Sequence, residues 1–176
     1  MPLKDIKKEL KKLDKEKLIE LVADLYKNNK SVKDFFDFYV NPNEKELFMK
    51  YRNKVVQAFY PKRGFGYKLK DGKQAISDFK KIGPSSVLLA ELMLTYVETG
   101  TKFTREYGDI NESFYSSLES TFYNALSLID KENMLDKFED KVVEIVNKTE
   151  GIGWGFYDYI VQVFCEFYPN DSGDSE

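Results

Sequence analysis

The sequence contains no histidine. That absence excludes a Ser-His-Asp triad, a Cys-His dyad, a His-ligated zinc site and a facial-triad iron site. There is one cysteine, Cys165, so neither an internal disulfide nor a thiolate cluster can form. Cys165 falls within an aromatic-rich segment and is expected to be a small buried apolar residue. Long hydrophobic runs are also missing. The longest, "VLLAELMLTYV", is too short to span a bilayer and is interrupted by Glu91. The opening "MPLKDIKKELKKLDKEK" has no apolar stretch of the kind a secretory signal carries. A cytoplasmic protein with no membrane association is the expectation.

Aromatic residues are plentiful, with 14 Phe and 12 Tyr beside one Trp. Each ring buries a large area, so this series is expected to fill the core. With 176 residues the chain is long enough to bury a substantial core. The expected organisation is a single helical domain over residues 1–168 and a disordered acidic tail, "PNDSGDSE", over 169–176.

Charge is distributed unevenly. Residues 50–81 carry 10 basic and 2 acidic side chains, a net +8, whereas residues 82–176 carry 6 basic and 18 acidic, a net −12. The first 49 residues are nearly balanced at +1, giving −3 for the whole chain. A short basic segment inside an acidic chain can mark an electrostatic binding surface.

Apolar spacing predicts one helix after another. Leu3, Ile6, Leu10 and Leu13 are at helical intervals. Asp14 is expected to cap a helix over 15–28, Ser31 another ending near Tyr39, and Asn43 one that Pro61 stops. "DGKQAISDFKKIG" predicts a short helix, after which Pro84 suits the first turn of the next. That next helix, about 85–99, is apolar nearly all round and is expected at the centre, with Glu91, Thr95 and Glu98 together on one side. Later helices are expected after Asn111, over about 133–148, and over about 154–168. The predicted fold is all-α, about eight helices in a bundle or a short irregular helical-repeat array.

"RGFGYKLK", residues 63–70, resembles the RNP1 octamer of RNA-recognition motifs. Lys68 and Lys70 break the pattern, and a strand cannot fit between the preceding helix and Arg63. The stretch is therefore expected to be a basic aromatic loop. Lys62, Arg63, Lys68, Lys70 and Lys73 surround Phe65 and Tyr67 there, a combination that suits single-stranded nucleic acid. Lys73 and Lys80 share a helix face, and "IGPSS" offers the hydroxyls of Ser85 and Ser86 at a helix N-terminus, where anions are attracted. These ten residues form the candidate anion- or partner-binding set.

"EGIGWGFYDY" spaces its glycines G-x-G-x-G after no strand, which does not match the dinucleotide fingerprint. It predicts a helix-to-helix corner packed around Trp154. "EYGDINESF" gathers Glu106, Asp109 and Glu112, but an EF-hand loop from Asp109 would place Phe114 where glycine is needed. Asp109 and Asn111 are read instead as helix caps.

Taken together, "LDKEKLIELVADLYKNN", "AISDFKKIGPSS", "FTREYGDINESFYSSLE" and "EGIGWGFYDYI" resemble a family of uncharacterised bacterial all-helical proteins with no assigned activity. The resemblance covers nearly the whole chain. It implies a bacterial cytosolic protein and brings no site residue with it.

No catalytic residue, metal or cofactor is expected. The sequence points to a non-catalytic interaction or scaffold domain, its basic segment facing an acidic partner that is either another protein or the acidic half of a second copy. The alternative is a nucleic-acid or phosphate-ligand binder using the loop at 62–73. A third reading places carboxylates such as Glu91, Glu98, Glu106 and Asp109 in a helical cavity.

Overall fold

The computed structural model describes residues 2–169. Among the described residues the chain forms nine helices and no strand, the all-α fold expected. Apart from Pro169, the expected acidic tail lies outside the described residues. The described chain divides into two compact units, the first ending at Asn43 and the second beginning at Glu44.

In the first unit are α1 (Leu3–Leu10), α2 (Lys15–Asn28) and α3 (Lys30–Val40). Asp14 caps α2 as its spacing predicts, its carboxylate accepting from the Lys17 backbone N–H at 2.8 Å. Ser31 does not cap α3. Asn29 does, its side-chain oxygen accepting from the N–H groups of both Ser31 and Val32. Helices α2 and α3 pack together, and Tyr26 donates to Asp37 at 2.7 Å across the pair.

The second unit holds α4 (Glu44–Phe59), α5 (Leu69–Ile82), α6 (Ser86–Tyr107), α7 (Glu112–Lys131), α8 (Leu135–Thr149) and α9 (Phe156–Phe167). Helix α6 packs against α4, α5, α7 and α8, which makes it the centre of the bundle. Its sequence explains this position. Leu92, Leu94, Tyr96 and Val97 are wholly buried and point in successive directions around the helix. Gly100 does not interrupt it, and α6 runs on to Gly108, whose positive φ of 87° suits a helix end. Pro84 precedes the N-cap residue, Ser85, rather than entering the first turn.

The largest wholly buried side chains are mostly aromatic. Phe59 on α4 stands 5.0 Å from Tyr96 and 6.1 Å from Phe114, tying α4, α6 and α7 together. Tyr115 and Phe156 stand 5.1 Å apart, joining α7 to the start of α9. Each ring contributes its buried area, and the Phe59–Phe114 pair, which is edge-to-face, a further ~0.5–1.5 kcal/mol. Among the described residues no helix is long and apolar enough to cross a membrane.

Candidate functional site

The basic loop lies between α4 and α5. It closes on itself because the Lys68 backbone N–H donates to the Ala58 carbonyl at 2.7 Å. Reversal within so few residues needs left-handed backbone, which Gly64 (φ 82°) and Gly66 (φ 102°) supply. The result is a recess of about 490 Å³ lined by Lys62, Arg63 and Lys68 together with Lys54, Gln57 and Asp71. Lys62, Arg63 and Lys68 are exposed, and none has a carboxylate partner among the described residues. The Lys54 ammonium lies 3.8 Å above the Tyr51 ring centroid, a cation–π contact. Sequence reading placed Lys54 in the basic segment but missed that α4 carries it to the loop.

The other expected members of the set are dispersed. Tyr67 is not a stacking platform. Its ring packs edge-on to Phe103 and Phe114, and its hydroxyl accepts from the Asn111 amide at 3.2 Å. It anchors the loop to α6 and α7. Phe65 is the opposite case, 82% exposed with one edge contact to Tyr107. Lys70 and Lys80 are exposed on α5 and do not line the recess. Lys73 turns toward α7 and donates to the Ser120 hydroxyl at 2.8 Å, and burial lowers its pKa. The N-terminus of α6 is not an open anion site. The Ser85 N–H and hydroxyl both donate to the Glu44 carboxylate, so the protein supplies its own anion there. Ser86 is simply the first residue of the helix.

The carboxylates of the third reading separate into two groups. Glu98 and Glu106 line a second cavity of about 710 Å³, formed by the polar side of α6 with α4 and α8. Glu91 is ion-paired with Lys141. Asp109 does not cap α7; its carboxylate accepts from the Tyr115 hydroxyl at 2.9 Å, and Asn111 alone caps, accepting from the Phe114 N–H. Tyr115 also shares a 2.7 Å hydrogen bond with Thr104, and burial is the main reason its pKa is raised. Among the described residues no group of three acidic or cysteine side chains is placed to hold a metal ion.

The glycine corner between α8 and α9 follows a helix, not a strand. A Cβ at Gly153 would stand 2.9 Å from the Asp109 carboxylate, so this glycine allows close approach of the corner to the α6–α7 turn. Trp154 does not organise the packing as expected. It is 60% exposed with a left-handed φ of 60°, and Phe156 occupies the interior instead. Cys165 is likewise exposed rather than buried, because α9 turns Ile160 and Val163 inward.

The profile of a family of unknown function, DUF6155, matches residues 1–167. The chain belongs to that family. The DUF6155 match extends across both compact units and takes in every helix of the described residues. No curated protein and no solved structure matches the chain.

Proposed function

We propose that this DUF6155 protein is a non-catalytic interaction domain of the bacterial cytosol, and that its basic recess docks an acidic protein surface. The observation that carries the reading is the convergence of Lys62, Arg63 and Lys68 on one concavity whose sole acidic lining residue, among the described residues, is Asp71. Like charges held together repel, and an incoming carboxylate relieves that repulsion while gaining charge-assisted hydrogen bonds. Arg63 adds a planar fork suited to carboxylate.

A protein partner is favoured over nucleic acid on two grounds. The net −12 of residues 82–176 opposes a long polyanion. Moreover, single-strand binding needs several stacking rings, and with Tyr67 packed away Phe65 is the loop's remaining exposed ring.

The test is fluorescence anisotropy with a labelled oligoglutamate peptide and a short single-stranded RNA, each titrated with the full chain at several salt concentrations. The expected result is peptide binding that weakens with salt and is lost in the Lys62→Ala/Arg63→Ala/Lys68→Ala variant. RNA binding much tighter than peptide binding, and equally dependent on those residues, would replace this reading with the nucleic-acid one. Peptide binding unchanged in the triple variant would reject the recess. Sedimentation of the protein alone at low salt decides whether the acidic partner is a second copy.

A further inference from the structure

The cavity along α6 has a different character from the basic recess. Its floor is the polar side of α6, where Thr95, Glu98, Thr99, Lys102 and Arg105 follow one another at helical intervals. Arg52 and Val56 of α4, with Tyr60 just past its end, are spaced four residues apart and form one wall, and Lys148 comes from α8. At about 710 Å³ it falls within the range of small-molecule sites.

The charges within it are not balanced. Four cationic side chains, Arg52, Lys102, Arg105 and Lys148, face two carboxylates, Glu98 and Glu106. Both carboxylates are already engaged. Glu98 accepts from Lys148 at 2.8 Å, and Glu106 accepts from the Tyr60 hydroxyl at 2.7 Å with Lys102 at 3.6 Å. Arg105 is spent on the backbone, donating to the Lys148 carbonyl at 2.7 Å. Arg52 has no partner among the described residues. The unspent capacity of the cavity is therefore cationic, centred on a guanidinium and the remaining donors of Lys102.

A second observation points the same way. Thr101 also lines the cavity, is wholly buried, and its hydroxyl is the one buried side-chain polar atom among the described residues that lacks a hydrogen-bond partner. A buried donor left unpaired is costly, and an acceptor that reached it from the cavity would offset that cost. The neighbouring threonines have no such need, because Thr95 and Thr99 donate to the carbonyls of Glu91 and Thr95.

We propose that this cavity is a binding site for a small organic anion, a carboxylate or phosphate that pairs with Arg52 and Lys102 while Val56 and the Tyr60 ring contact its apolar part. The guanidinium fork matches either anion in bidentate fashion. The site is independent of the basic recess and of the docking reading given to it.

The test is an amide-resolved NMR titration of the full chain with phenyl phosphate, with phenylacetate and with inorganic phosphate. Ligands this small, held by one charged contact and a little apolar surface, are expected to bind with dissociation constants in the millimolar range. The expected result is saturable shifts in the amides of α4 near Arg52 and of α6 between Thr95 and Glu106. Either aromatic anion should bind more tightly than inorganic phosphate, and whichever of the two is tighter identifies the anion class. Loss of a bidentate charge-assisted contact in Arg52→Ala should weaken binding about tenfold or more. Arg52 is exposed, so the variant should retain its fold, checked by circular dichroism. Saturable shifts of equal affinity in Arg52→Ala would overturn the proposal. So would shifts confined to residues 62–68, which would send the anion to the other recess, or the absence of any saturable shift.

Discussion

The backbone N–H and the hydroxyl of Ser85 both donate to the carboxylate of Glu44, at 2.8 and 3.1 Å. One side chain at the start of α4 thus caps α6, 41 positions later in the chain. The carboxylate also meets the positive end of the α6 dipole. Hydrogen bonds to a charged group contribute roughly 1.5–3 kcal/mol, so Glu44→Ala should lower stability by about that amount. Glu44→Gln keeps an acceptor without the charge and should lose less. Urea unfolding midpoints of the three proteins measure this; an unchanged midpoint in Glu44→Ala would mean that water replaces the cap at no cost.

Gly100 sits in the middle of α6, where helix propensity alone favours alanine by about 1 kcal/mol. Packing opposes it. A Cβ at this position would run into the Leu118 methyls and stand 3.1 Å from Phe59 Cε1. Both neighbours are essentially wholly buried and have nowhere to turn. Overpacking of this kind costs about 1–3 kcal/mol, so Gly100→Ala should be destabilising on balance. The check is non-additivity. In a Leu118→Ala background the same substitution should cost less or become stabilising, since the obstructing methyls are gone.

Local signals in this chain were legible where their physics is local. Asp14 and Asn111 cap the helices that follow them because an acceptor two or three residues ahead of free N–H groups needs nothing else. Ser31 misled because the helix begins earlier: Asn29 accepts from the N–H groups of Ser31 and Val32, which puts Ser31 inside the first turn. The basic loop was legible from two glycines among lysines, but the fate of Tyr67 was not. Its ring and hydroxyl are committed to Phe103, Phe114 and Asn111, and the sequence around residue 67 contains none of them. The same holds for Ser85, whose anion capacity is spent on a glutamate 41 residues away. Polar residues on one side of α6 were visible as a stripe. That α4 and α8 enclose it as a cavity is a tertiary fact.

That stripe also carries a register. Glu91 pairs with Lys141 and Glu98 with Lys148, each pair 50 residues apart, so equal steps of seven along α6 and α8 keep the partners matched. The two helices therefore run in the same direction, with α7 returning between them. Glu91 and Lys141 are only 32% and 26% exposed, which shields their attraction from solvent. A double-mutant cycle on this pair should give a coupling of about 1 kcal/mol. Lys141→Glu alone should be clearly destabilising, and Glu91→Lys with Lys141→Glu should recover most of the loss. Urea unfolding in low salt and in ~1 M salt, where the Debye length falls to about 3 Å, measures how much of the coupling is screened.

Tyr96 gives the bundle a pH dependence whose sign can be worked out. The side chain is wholly buried at the centre, and its hydroxyl shares a 2.8 Å hydrogen bond with Ser117. Burial pushes its pKa up to about 12 from the ordinary 10.0. The fold therefore holds the phenol proton more tightly than the unfolded chain does. Its contribution is fully present below about pH 10 and is lost as pH rises through 10 toward 12, by an amount on the order of 2–3 kcal/mol. Tyr168 is also pushed up to about 12, chiefly by burial, and adds in the same direction over the same window, though it is only partly buried. Tyr96→Phe cannot ionise and should flatten the alkaline slope while changing stability near neutral pH by only ~1 kcal/mol, the worth of one hydroxyl hydrogen bond. Urea midpoints of both proteins at about pH 7, 9 and 11 test this. If Tyr96→Phe loses stability as steeply as the parent across that range, ionisation of other tyrosines carries the alkaline transition and the central phenol does not.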